Sequence, residues 1–106
     1  SSSSTTCNQH IKFIFESEIR RVSVSDRALN DFDNIANLIR NLFPSIKERE
    51  EEDISLYLRW VDDEGDTITS SSSEELMLAL RLMAAMEKTS RFEVVVVVRT
   101  SPEKEL

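Results

Sequence analysis

The segment that most restricts the fold is "RFEVVVVVR", residues 91–99, in which five consecutive valines lie between charged residues. Valine is β-branched and favours extended backbone. The apolar run is far shorter than the roughly 20 residues that a membrane-spanning helix needs. A strand that is apolar on both faces through its middle is typical of the interior of a sheet. The segment therefore predicts an interior strand with neighbours on both sides.

Four other segments predict the neighbouring strands, because they are rich in β-branched and aromatic residues or alternate apolar with polar side chains. They are "IKFIF" (11–15), "IRRVSV" (19–24), "ISLYLRW" (54–60) and "DTITS" (66–70). The first two are joined by "ESE" and form a predicted hairpin, although its turn lacks the usual Gly or Asn.

The first predicted helix runs from Asn30 to Phe43. Its apolar residues recur at spacings of three and four, which is typical of one buried helix face. These residues are Phe32, Ile35, Ala36, Ile39, Leu42 and Phe43. Asn30 or Asp31 can cap its start, and Pro44 helps to end it. The charged run that follows, residues 47–53, is predicted to be a solvated loop.

The second predicted helix follows Ser72, which forms an S-x-x-E capping box with Glu75. It should bury Leu76, Ala79, Leu80 and Met83. The resulting order is strand, strand, helix, strand, strand, helix, strand. This order predicts an α+β fold of the ubiquitin-like β-grasp type, with a mixed sheet of about five strands and two helices on one face. The domain should cover residues 10–100, between a disordered lead (1–9) and a flexible tail (101–106).

Composition restricts the partners and the compartment. With 106 residues the chain forms one domain. A net charge of −7 opposes nucleic-acid binding and favours cationic partners. The single cysteine, Cys7, excludes an internal disulfide, which fits a reducing compartment. We therefore expect a cytoplasmic protein that binds neither nucleic acid nor membrane.

The acidic segment "LRWVDDEGDTITSSSSEEL", residues 58–76, contains the only glycine of the chain. Asp and Gly suit a turn between two strands, and the two glutamates suit the start of a helix. These local roles do not explain why at least five carboxylates converge there. Their mutual repulsion lowers stability unless a cation or a basic partner offsets it.

Two chemical interpretations of these acids are weak. Numbered from Asp62, an EF-hand loop needs Gly at position six and Glu at position twelve, whereas Gly65 is at position four and Ser73 at position twelve. A calcium-dependent acidic loop is thus the less favoured alternative. Catalysis would need a base or nucleophile near the acids, and His10 and Cys7 lie near the predicted lead. We expect no enzyme activity, no cofactor and no metal.

The segment "YLRWVDDEGDTITSSSSEEL" resembles the acidic OPCA motif of Phox-and-Bem (PB1) domains. That motif has an apolar strand, D-x-D/E-G-D, a short strand, and S-x-x-E-L at the start of a helix. The likeness covers about residues 10–100, and the family's fold is the β-grasp. It implies that partner cations contact Asp62, Glu64, Asp66 and Glu75, with Asp63 and Glu74 beside them.

The resemblance also implies a basic face. Lys12 matches a family lysine in the first strand, and Arg20 and Arg21 match an arginine pair of sequestosome-type autophagy receptors and TFG-type proteins. Arg91 is a further candidate. Adjacent side chains on a regular strand point to opposite faces, so one arginine should face the core unless a bulge or a strand end frees both.

The function that the resemblance implies is protein–protein docking, acidic face to basic face, with another PB1 domain or with a second copy. The patches are unlike, so self-contact yields rings or filaments rather than a twofold dimer. Such domains occur in signalling, autophagy and scaffold proteins, and "LRWVDDEGD" is similar to atypical protein kinase C. The alternative is an acid-only module that binds one basic PB1 partner.

Overall fold

The computed structural model describes residues 8–49 and 53–99. The strands are β1 (Asn8–Phe15), β2 (Glu18–Ser25), β3 (Ile54–Val61), β4 (Thr67–Ser70) and β5 (Ser90–Val98). The helices are α1 (Asp26–Leu29), α2 (Phe32–Leu42), α3 (Pro44–Glu48) and α4 (Ser73–Ala85). The predicted α+β fold of the ubiquitin-like β-grasp type is confirmed, with two short helices added.

The five strands form one mixed sheet in the order β2-β1-β5-β3-β4. β1 and β5 are parallel, and the other neighbours are antiparallel. The valine-rich strand β5 is central, as predicted. Helices cover only one face of the sheet, and Val97, on the open face of β5, is 41% exposed. Val98 lies on the helix side at the end of the strand and is 40% exposed.

The core lies between the sheet and the helices. Its fully buried large side chains include Phe13, Phe92, Ile35, Ile39 and Leu76. The rings of Phe13 and Phe92 lie on paired positions of β1 and β5, with centroids 6.4 Å apart. The four α4 residues that were predicted to be buried, Leu76, Ala79, Leu80 and Met83, are all buried.

The structure corrects the predicted helix and loop bounds around α2. α2 begins at Phe32, after the N-cap Asp31, whose Oδ1 accepts a 3.2 Å bond from the N–H of Asp33. Pro44 follows the C-cap and also starts α3, because its fixed φ suits a first helical turn. Residues 47 and 48 are therefore helical, so the predicted solvated loop over 47–53 is wrong at its start. Residues 50–52 lie outside the described ranges.

The short helix α1 was not predicted. The side chain of Ser25 accepts a 3.4 Å bond from the N–H of Ala28, and Leu29 at the helix end is 1% exposed. Four residues are too few to produce a helical apolar repeat, so the sequence pattern carried no signal for this helix.

The first strand begins before the predicted start of the domain at residue 10. Asn8 and Gln9, which were predicted to belong to the lead, pair with Ser25 and Val24 as the first residues of β1. His10 follows in the same strand and is exposed. Cys7 with the rest of residues 1–7, and the predicted tail 101–106, lie outside the described ranges. Over the residues described, no helix is both long and apolar enough to cross a bilayer.

Candidate functional site

The turn between β3 and β4 is organised by Asp62. Its Oδ1 accepts backbone bonds from Glu64 at 3.0 Å and from Asp66 at 2.9 Å. The N–H of Gly65 donates to the carbonyl of Asp62 at 3.1 Å, and Gly65 has φ +90°, which suits a residue without Cβ. Asp62 therefore shapes the turn, and one of its oxygens is already used.

Three carboxylates of this turn converge. Single oxygens of Asp62, Glu64 and Asp66 lie within 4.8 Å of one another. Asp62 is half-buried and the other two are exposed. The ion pairs among residues 8–49 and 53–99 are Arg20–Glu18 and Arg59–Glu93, so no described cation neutralises this cluster. Asp63 lies beside the cluster and is exposed.

The start of α4 adds two exposed carboxylates, those of Glu74 and Glu75. Ser72 caps the helix as predicted, accepting from the N–H of Glu75 at 3.5 Å. Glu75 departs from the predicted capping box, because its Oε1 accepts from the N–H of Ser71 at 2.9 Å rather than from that of Ser72. Glu74 makes no such bond and borders a groove between α4 and α1.

Three cations share the open face of the sheet. Lys12 on β1 lies opposite Arg21 on β2 and opposite Arg91 on β5. Directly opposed residues point to the same side of a sheet. We call Lys12, Arg21 and Arg91 the basic row. None of the three forms an ion pair within the described part of the chain.

Arg20 lies on the other face of β2. Its partner across the strands is Phe13, which is fully buried, so Arg20 points to the helix side. No bulge interrupts the pairing, and Arg20 stays in solvent because it is near the end of an edge strand. Its Nη2 is 3.3 Å from Oε2 of Glu18, with the Arg20 side chain 45% exposed. The arginine pair is therefore split between two faces.

The pairing register of the strands explains why sequence analysis treated Arg91 only as a further candidate for the basic face. Arg91 is separated from Lys12 by most of the chain, and only the parallel pairing of β1 with β5 brings them side by side. Alternation along β2 places Arg20 on the face of Val22 and Val24, so it indicates that Arg21 shares the open face with Lys12. No local pattern indicates that Arg91 joins them.

A β-grasp domain that presents clustered acids and a row of cations has the character of a protein-binding module. The comparison with family models agrees, since the PB1 domain model matches residues 8–99. The chain belongs to the PB1 domain family. Members of this family are interaction domains that bind other PB1 domains, and the family is not a catalytic one. No curated protein matched the chain.

Proposed function

We propose that this domain docks head-to-tail, with the acidic face of one copy against the basic row of the next. The acidic face comprises Asp62, Asp63, Glu64, Asp66, Glu74 and Glu75, in an OPCA-type arrangement. The observation that carries the proposal is that both surfaces are unneutralised among the described residues. Each surface therefore lacks counter-charges that a second copy carries.

The expected energies are adequate for this docking. An exposed ion pair contributes only about 0–1 kcal/mol, but close interfacial charge pairs couple by roughly 1.5–7 kcal/mol. Micromolar affinity needs about 8 kcal/mol, which several interfacial pairs supply. Charges are screened over about 8 Å at physiological salt, so affinity should fall as salt is added.

The stoichiometry follows from the difference between the two surfaces. A contact between unlike patches leaves one patch free on each end of a dimer, so further copies add until a ring closes or a filament grows. A heterotypic PB1 partner with one complementary face would instead stop at a heterodimer. We place this assembly in a cytoplasmic signalling, autophagy or scaffold protein.

Charge swaps test the proposal. Glu64→Lys with Asp66→Lys blocks the acidic face, and Lys12→Glu with Arg21→Glu blocks the basic row. Each variant alone should be monomeric in multi-angle light scattering, and the mixture should form one-to-one heterodimers through the intact faces. The matched control is Asp33→Lys with Glu48→Lys, two exposed acids on α2 and α3, which should assemble like the parent.

Two results would contradict head-to-tail self-docking. Variants as oligomeric as the parent would show that neither surface is used. A parent that stays monomeric when concentrated at low salt, yet binds a PB1 domain bearing the family lysine, would favour the acid-only alternative.

A further inference from the structure

An exposed isoleucine borders the basic row. Ile19 is 61% exposed, more than any other large apolar residue in the described ranges. It lies two positions before Arg21 on β2, on the same face of the sheet, and opposite the half-buried Ile14. Ile19 and Ile14 together form a small apolar patch beside the cations, a surface that a partner can cover.

An apolar groove borders the acidic face. It lies between α4 and α1, has a volume of about 670 Å³, and includes Glu74, Met77 and Leu78 in its walls. Met77 is 36% exposed and Leu78 is 53% exposed, although the opposite side of α4 already supplies the core. Apolar side chains outside the core-facing stripe of a helix are typical of a surface that a second element covers.

The Ile19 region and the groove between α4 and α1 are both apolar, and their charges are opposite. Two acids, Asp26 and Glu74, and one cation, Arg81, line the groove, so its net charge is negative. Ile19, in contrast, is accompanied by Arg21. Along a strand, residues two apart are separated by roughly 6.7 Å. On a helix, residues three or four apart are separated by about 5–6 Å. The distance from Arg21 to Ile19 is therefore similar to the distance from Glu74 to Met77 or Leu78.

We propose that Ile19 of a second copy of this chain inserts beside Met77 and Leu78 while Arg21 of that copy pairs with Glu74. This inference rests on the proposed head-to-tail docking and adds an apolar contact to it. Charge alone accepts any suitably placed cation, because Coulomb attraction acts over several ångströms. Apolar burial needs the correct side chain at the correct distance, so this contact selects the partner.

A double-mutant cycle between the two half-blocked variants tests the contact. The acid-blocked copy (Glu64→Lys, Asp66→Lys) carries Ile19→Thr, and the base-blocked copy (Lys12→Glu, Arg21→Glu) carries Leu78→Gln. Each single change should weaken the heterodimer by about tenfold, as expected for losing roughly half of an isoleucine's burial.

The cycle and the salt dependence give independent readouts. The two changes combined should weaken binding by little more than either alone, because both remove the same contact. The slope of affinity against salt should stay that of the parent pair, since no charge is altered. Val97→Thr on β5 and Leu82→Gln on α4 are matched controls with 41% exposure each, and should change affinity by less than about twofold. Thermal unfolding of every variant reports whether it remains folded.

The outcomes separate this inference from the proposed function. Two results would overturn the apolar contact. Ile19→Thr would weaken the heterodimer no more than Val97→Thr does, or the effects of Ile19→Thr and Leu78→Gln would simply add. If the charge swaps still separate the copies in that case, head-to-tail docking stands without it. If the charge swaps also have no effect, both proposals fail.

Discussion

Oε1 of Glu75 accepts a 2.9 Å hydrogen bond from the backbone N–H of Ser71, one residue before the N-cap of α4. The bond fixes the chain where it passes from β4 into the helix. The carboxylate is nevertheless exposed, so its other oxygen can accept from a partner cation. One side chain thereby connects the local fold to the proposed docking surface.

Substitutions at Glu75 should separate its two roles. Glu75→Gln retains an acceptor for the Ser71 N–H and loses the charge, so urea unfolding should be close to that of the parent while docking weakens. Glu75→Ala loses the acceptor as well as the charge, so it should weaken docking and also reduce the free energy of unfolding by about 1 kcal/mol. Glu74→Gln is the control for charge loss without loss of a backbone bond. Equal unfolding curves for the Gln and Ala variants would argue against the structural role.

The adjacent arginines should differ in their effect on docking. Arg21→Gln removes a member of the basic row and should weaken the heterodimer of half-blocked variants by about tenfold or more, in the range of interfacial charge pairs. Arg20 lies on the helix side of the sheet and is paired with Glu18, so Arg20→Gln should weaken the heterodimer by only about twofold. Isothermal titration calorimetry at one fixed salt concentration compares the two. A larger effect at Arg20 would contradict the assigned faces.

The end of α4 offers a stabilising substitution. The N–H of Lys88 donates to the carbonyl of Met83 at 2.9 Å and the N–H of Glu87 to that of Ala84 at 3.0 Å, as in a Schellman motif. Glu87 has φ 58° in the position that usually holds glycine. Glu87→Gly should therefore raise the free energy of unfolding by about 1 kcal/mol and the melting temperature by about 4–8 °C.

Lys88→Gly is the matched control for that change, because φ of Lys88 is not positive. Its added freedom in the unfolded chain should lower the melting temperature. A fall in melting temperature for both variants, measured by calorimetry, would contradict the strain assigned to Glu87.

Calcium should not stabilise the domain. Calcium takes six to eight oxygen ligands, whereas the turn brings together three carboxylates, one of which already accepts from two backbone N–H groups. Millimolar calcium, compared with the same buffer plus chelator, is therefore expected to leave the melting temperature unchanged. A rise that the chelator reverses would support the calcium-dependent alternative instead.

The sequence predicts the features that depend on neighbouring residues. The five strands, the Ser72 cap and the buried side of α4 follow from alternation, capping chemistry and helical spacing. The β1–β2 hairpin was also predicted, although its turn places Glu16 at φ 57° where glycine is usual. Here the pairing of two eight-residue strands outweighs the local strain of one residue.

Features that depend on distant pairing or on very short elements were harder to predict. α1 spans a single turn, and the acid-to-backbone bond of Glu75 differs by one residue from the usual box. Membership of the basic row depends on which strand neighbours β1. Lys12 and Arg91 become neighbours only through a parallel crossover, and nothing in the local sequence around either residue specifies that register.

The separation of the acidic turn, between β3 and β4, from the basic row, on β1, β2 and β5, would have a consequence for any string of copies that docks as proposed. Such a string has a direction, and its two tips differ chemically. A protein with only one complementary face would bind one end of the string and prevent further addition there, while the other end could still add copies. The average length would then be set by the ratio of such proteins to this chain, so assembly could be controlled without any change in the domain itself.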